Sequence, residues 1–132
     1  MPDAPNIFPA LRYRDARAAI EWLTDALGFD SVSVHEGPDG SIAHAELGFG
    51  AGMIMLGSTG SGDERFDRQV GCSSVYLVAG DVDAVFERAR AAGATIEREL
   101  TDTDYGSHEF TVSDPEGNMW SFGTYAPQRR PG

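Results

Sequence analysis

The stretch SDPEGNMWSFGTY, residues 113–125, joins a turn to a strand. Its first half carries Pro115, Gly117 and Asn118, residues that suit a tight reversal. From Met119 onward the side chains alternate: Met119, Ser121 and Gly123 fall on one side, Trp120, Phe122 and Thr124 on the other. Trp120 and Phe122 read as core. The opposite side then presents a thioether and a hydroxyl to something that is neither core nor bulk water, so what Met119 and Ser121 face becomes the central question.

Upstream, the chain is written twice. One helix is expected from about Asp15 to Leu27, with Asp15 as N-cap and Gly28 as stop. Ala16, Ala19, Ile20, Leu23 and Leu27 fall on one face of it. A second helix is expected from about Asp81 to Ala92, with Gly93 as stop and Val82, Val85, Phe86 and Ala89 facing inward. The two caps lie 66 positions apart in a chain of 132 residues. Each helix follows one strand-like run, NIFPALRY or CSSVYLVA, and precedes three more. The first helix leads to DSVSVHE, SIAHAELGF and GMIMLGS; the second leads to ATIEREL, SHEFTVS and NMWSFGTY. The pattern predicts an α+β fold in a single domain, 1–132, built of two βαβββ modules at 6–57 and 70–125. A Gly/Ser-rich and then charged linker, 58–69, is expected to be exposed and mobile, and the tail 126–132 disordered.

Strand parity then separates core from cleft. The face under the helices takes Val32 and Val34; Ala43, Ala45 and Leu47; Ile54 and Leu56; and Trp120 and Phe122. The opposite face takes Ser33, His35, His44, Glu46, Met53, Met55, Met119 and Ser121. A tight turn over Gly48 to Ala51 would pair Glu46 with Met53 and His44 with Met55, and paired residues share a face. Polar and Met side chains mixed in this way suit a ligand-sized cleft.

Composition narrows the function classes. With 41% hydrophobic residues the chain has enough for a core, and it contains no apolar run long enough to span a bilayer. A net charge of −11 makes nucleic acid and anionic membranes poor partners. All ten basic residues are arginine, so lysine Schiff-base or general-base chemistry is excluded. The lone Cys72 cannot form an internal disulfide, and no secretory leader is legible; a cytoplasmic home is expected.

The paired modules, with DARAAIEWLTDALGF, DVDAVFERARAAGATI and DPEGNMWSF, resemble the vicinal oxygen chelate superfamily. That superfamily includes glyoxalase I, extradiol dioxygenases, fosfomycin-resistance enzymes and bleomycin-resistance proteins. The resemblance covers roughly residues 6 to 125. It implies two half-barrels forming a curved eight-stranded mixed sheet around a cleft, and a homodimer. In metal-dependent members, ligands sit on the first and last strand of each module. Carried over, these positions are Phe8, Met55, Ser74 and Ser121. A phenyl ring, a thioether and two hydroxyls are poor ligands for Zn, Ni, Mn or Fe(II).

The resemblance is therefore nearest in character to the metal-free bleomycin-resistance type, which sequesters a drug. Such a protein needs neither metal nor cofactor. Its expected ligand-binding residues are Phe8, His44, Glu46, Met53, Met55, Ser74, Tyr76, Tyr105, Met119 and Ser121. Met adapts to irregular shapes, aromatics stack on planar rings, and the acidic surface favours a cationic ligand. The alternative is a lyase, isomerase or dioxygenase using relocated metal ligands or a His44/Glu46 acid–base pair. His-Ala-Glu places two ligand-type side chains on one strand face, and the loop at Tyr105 and Gly106 is positioned either to cover the cleft or merely to connect. His108 is left without an assigned face, and Met53, Met55 and Met119 are equally consistent with buried filler.

Overall fold

The structure, a computed structural model, describes residues 5–60 and 62–128. The first module runs β1 (Ala10–Tyr13), α1 (Ala16–Leu27), β2 (Asp30–Glu36), β3 (Ile42–Phe49) and β4 (Gly52–Ser58). After a short helix α2 (Glu64–Asp67), the second runs β5 (Ser74–Val78), α3 (Val82–Ala91), β6 (Thr95–Asp102), β7 (His108–Ser113) and β8 (Met119–Gly123). This is the expected α+β arrangement of two βαβββ modules. Its eight strands divide into two four-stranded mixed sheets, ordered β1-β4-β3-β2 and β5-β8-β7-β6. In each, the first strand runs parallel to the last, and the other pairs are antiparallel.

Both long helices start where the capping chemistry places them. Asp15 accepts from the Ala18 N–H and Asp81 from the Ala84 N–H, each at 3.0 Å. Gly28 ends α1 with φ of 81°, a left-handed conformation that favours glycine. The helices pack against each other, and Arg88 of α3 donates to the Thr24 and Asp25 carbonyls at the end of α1. One core joins the modules: the Phe29 ring meets Trp120 at 5.6 Å and the Phe49 ring meets Phe122 at 5.5 Å. Trp120 and Phe122 are fully buried, as their parity requires.

The loop between β7 and β8 explains much of the opening motif. Asp114 lies buried and accepts five hydrogen bonds. Three come from the Tyr13 hydroxyl, the Trp120 indole and the Asn118 amide; two come from the Glu116 and Asn118 backbone N–H groups. Glu116 accepts from the Arg14 and Asp15 N–H groups at the head of α1. This turn of the second module thus grips the start of the first module's helix. Burial and the Asp114 charge push the Tyr13 phenol far above its ordinary pKa.

Several sequence expectations are corrected. Val32 and Val34 are not core; they are 56% and 40% exposed. They lie on edge strand β2, and Val32 is the extra residue of an irregularity between Ser31 and Ser33. Ala43 is exposed and Ile42 buried in its place, because the β2–β3 pairing skips a residue there. The β3–β4 hairpin pairs Glu46 with Met55 and Gly48 with Met53, since the loop is only Gly50 and Ala51. His44 therefore does not sit beside Met55; its partner is His35 on β2. This slip of two positions preserves parity, so the cleft-face assignment survives. Within the linker, Asp63 caps the single helical turn of α2. Of the tail, 126–128 are exposed and outside regular structure, and 129–132 lie outside the described residues.

Candidate functional site

On the first sheet, Glu46 and Met55 sit opposite each other, with Met53 further along β4 on the same face. The segment before β1 places Phe8 beside Glu46, Met53 and Met55, and the four line a half-open cavity of about 170 Å³. His44 Nε2 lies 2.9 Å from Glu46 Oε2, and the His35 and His44 rings stack at 6.2 Å. The hydrogen bond with His44 holds the Glu46 carboxyl below its ordinary value, against partial desolvation.

On the second sheet, Ser74 pairs with Met119 and Tyr76 with Ser121. The Ser121 and Thr111 hydroxyls lie 2.8 Å apart, so the hydroxyl facing the cleft already has a partner. Tyr76 donates to the Tyr125 carbonyl at 2.7 Å. Glu109 is only 3% exposed. Its oxygens accept from Arg98 Nη2 at 2.8 Å and from the Tyr105 hydroxyl at 2.7 Å. Burial works to raise the Glu109 carboxyl; hydrogen bonds from Tyr105 and Ser107, with the Arg98 charge, outweigh it and hold it low. Gly123 leaves room for this cluster: a Cβ there would collide with the Tyr76 hydroxyl, come within 2.8 Å of Glu109 Cγ and within 2.9 Å of Ser107 Oγ.

The expected ligand-binding residues thus form two groups. Phe8, His44, Glu46, Met53 and Met55 belong to the first sheet; Ser74, Tyr76, Tyr105, Met119 and Ser121 belong to the second sheet and its loops. Of the ten, Met53 and Tyr76 come to a shared apolar cavity of about 420 Å³, lined also by Phe29, Phe49, Val75 and Leu77. Glu109, Arg98 and Thr111 were missed in the sequence. A usable signal existed: Phe110 and Val112 alternate as clearly as Trp120 and Phe122, which places Glu109 and Thr111 on the opposite face.

The model of the glyoxalase/bleomycin resistance protein/dioxygenase superfamily matches residues 8–122. The chain belongs to this superfamily. Among its relatives, an uncharacterised protein of Mycobacterium bovis is 35% identical over 127 residues, covering 90% of this chain and 82% of its own. The crystal structure of TioX from Micromonospora sp. ML1 is 31% identical with a TM-score of 0.76, covering 91% of this chain and 98% of that one. A glyoxalase I mutant from Zea mays is 20% identical with a TM-score of 0.71; the match covers 89% of this chain and 44% of that one, and it shows the shared fold alone.

The superfamily contains metalloenzymes, so the fit of a metal needs testing against these residues. The two modules superpose in sequence by the same 66-residue offset: the pair Ala10–Met55 becomes Tyr76–Ser121, and Phe8 becomes Ser74. The four positions that the family resemblance carries over as ligand positions, Phe8, Met55, Ser74 and Ser121, are thus equivalent in pairs, and they supply no carboxylate or imidazole. Among the described residues, no three His, Cys, Asp or Glu side chains gather to hold an ion. These donors do not fit a divalent metal centre.

Proposed function

We propose that this protein binds a small molecule without a metal, in the manner of the bleomycin-resistance type, and sequesters it unchanged. The observation that carries this reading is the occupancy of the four ligand positions by Phe8, Met55, Ser74 and Ser121. Three methionines and the tyrosine rings supply adaptable apolar surface around them, and aromatic faces favour a planar guest. The net charge of −11 favours a cationic guest.

The protein acts as a homodimer in this reading, and its home is the cytoplasm. Val32, Val34 and Val78 are exposed apolar residues on strands, a surface that a second copy would cover in this reading. No helix among the described residues is long and apolar enough to cross a membrane.

Calorimetric titration with a panel of cationic intercalating and glycopeptide antibiotics tests the reading. Met55→Ala and Tyr76→Ala should each weaken binding about tenfold, by removing apolar contact from the first and the second sheet respectively. Mass spectrometry should recover the antibiotic intact after long incubation. One observation supports a second reading, an enzyme working by acid–base chemistry: His44 and Glu46 are hydrogen-bonded and partly exposed on the first sheet. Recovery of a modified product, formed catalytically and lost in His44→Ala or Glu46→Gln, would establish that reading instead.

A further inference from the structure

The buried Glu109 is not explained by the needs of the core. It faces away from Phe110 and Val112, toward the open side of the second sheet. A buried carboxylate is costly unless it is paired. Its partners come from two separate elements, Arg98 on β6 and Tyr105 on the loop between β6 and β7.

That loop carries backbone hydrogen bonds of its own besides the Tyr105 and Ser107 contacts to Glu109. Thr103 N–H donates to the Ser107 carbonyl at 2.8 Å, Ser107 N–H to Thr103 Oγ1 at 3.0 Å, and Gly106 turns the chain at φ of 85°. Tyr105 sits at its tip, 61% exposed, with its hydroxyl shared between Thr103 in the turn and Glu109 on β7. The held ring meets Tyr125 edge to face at 5.7 Å. Tyr125 is tied in turn: its N–H donates to Ser107 Oγ at 3.1 Å and its carbonyl accepts from Tyr76. Three tyrosines are thus fastened to one polar cluster, and Gly123 clears the space that the cluster occupies.

We propose that Glu109 is a positioning residue for ligand binding: by pinning the Tyr105 hydroxyl, it holds the Tyr105–Tyr125 pair as a preformed aromatic wall for a planar, cationic guest. The inference rests on the binding reading above and names residues outside the set expected from sequence. Ring faces attract cations, and a ring already held in place loses less entropy when a guest stacks on it. The charge of Glu109 is offset by Arg98, so its role is to orient the ring rather than to attract the guest directly.

Fluorescence titration of the full chain with proflavine, a planar cationic dye, tests this. Tyr105→Phe keeps the ring and removes only the hydroxyl; Glu109 keeps Arg98, so the protein should stay folded, with a thermal midpoint lowered by no more than a few degrees. Proflavine binding should nevertheless weaken about three- to tenfold. Glu109→Gln should weaken it similarly, and the double variant no further than the worse single one, because both changes release the same ring. Unchanged affinity in Tyr105→Phe, or additive losses in the double variant, would overturn the inference. Met55→Ala and Tyr76→Ala separate the two levels. If they weaken binding while Tyr105→Phe does not, only the role of Glu109 falls. If proflavine and the antibiotic panel all fail to bind, the binding reading falls and this inference with it.

Discussion

Tyr13→Phe removes one hydroxyl from a buried carboxylate and so measures what the turn at 114–118 contributes to holding the modules together. The Tyr13 hydroxyl donates to Asp114 at 2.6 Å, across 101 positions of sequence, in a fully buried setting. A hydrogen bond to a charged group contributes about 1.5–3 kcal/mol. Asp114 would keep its other four donors, so the loss should fall near the lower end, about 1.5–2 kcal/mol. For a chain of 132 residues that corresponds to roughly 4–10 °C in Tm. Asp114→Ala is harsher, because it strands the Tyr13 hydroxyl, the Trp120 indole N–H and the Asn118 amide in the core. At about 1–3 kcal/mol for each unsatisfied group, the cost should exceed about 4 kcal/mol. Urea denaturation followed by Trp fluorescence would read both, with the midpoint falling at constant slope for Tyr13→Phe. A Tyr13→Phe protein within about 0.5 kcal/mol of wild type would refute the reasoning, since that is the range of an inconsequential surface change.

Three further outcomes are expected. His108 lies between Asp83 and Asp102, each 2.7 Å from a ring nitrogen, and these hydrogen bonds, Asp83 first, raise its pKa above 6.5. A raised folded value stabilises the protein fully below the unfolded value of about 6.5 and loses that effect as pH climbs through the folded value. Thermal melts of wild type and His108→Gln should therefore differ most near pH 5.5 and converge at alkaline pH; a constant difference would contradict the assignment. Gly123→Ala should lower stability by about 1–3 kcal/mol in urea melts through collision with Tyr76, Glu109 and Ser107; a neutral result would mean that the cluster yields easily. Dialysis against EDTA should leave antibiotic affinity within about twofold of the untreated protein, whereas a loss restored by one particular metal would point to the enzymatic alternative.

How much of this was legible in the sequence depends on the range of the forces involved. Caps are local, so Asp15 and Asp81 mark the helix starts without knowledge of the rest. Parity is nearly local, so Ala45, Leu47, Ile54, Leu56, Trp120 and Phe122 are buried as read. Register is less so: the hairpin slipped by two because the loop is Gly50–Ala51, yet an even slip leaves every side chain on its face. The failures at Val32, Val34 and Ala43 arise where pairing itself is irregular or ends at an edge, which only the assembled sheet decides. The role of the turn at 114–118 was not legible at all, because its partners Tyr13, Arg14 and Asp15 stand a hundred positions away.

The repeat sharpens the functional argument. Met55 and Ser121 occupy equivalent positions; their cross-strand partners are Glu46 and Thr111, and two residues earlier on those strands stand His44 and Glu109. A shared metal centre would need both modules to turn donors outward from these strands. Instead each module satisfies its polar groups within itself: His44 with Glu46, Thr111 with Ser121, Glu109 with Arg98 and Tyr105. A ligand that displaced these partners would have to replace hydrogen bonds already made, for little net gain. What remains uncommitted is the apolar surface of Phe8, Met53, Met55 and Met119 and the faces of Tyr76 and Tyr105. Binding energy in the proposed site must therefore come mainly from apolar burial and stacking, so the guest should be selected by shape and ring area more than by its hydrogen-bonding pattern.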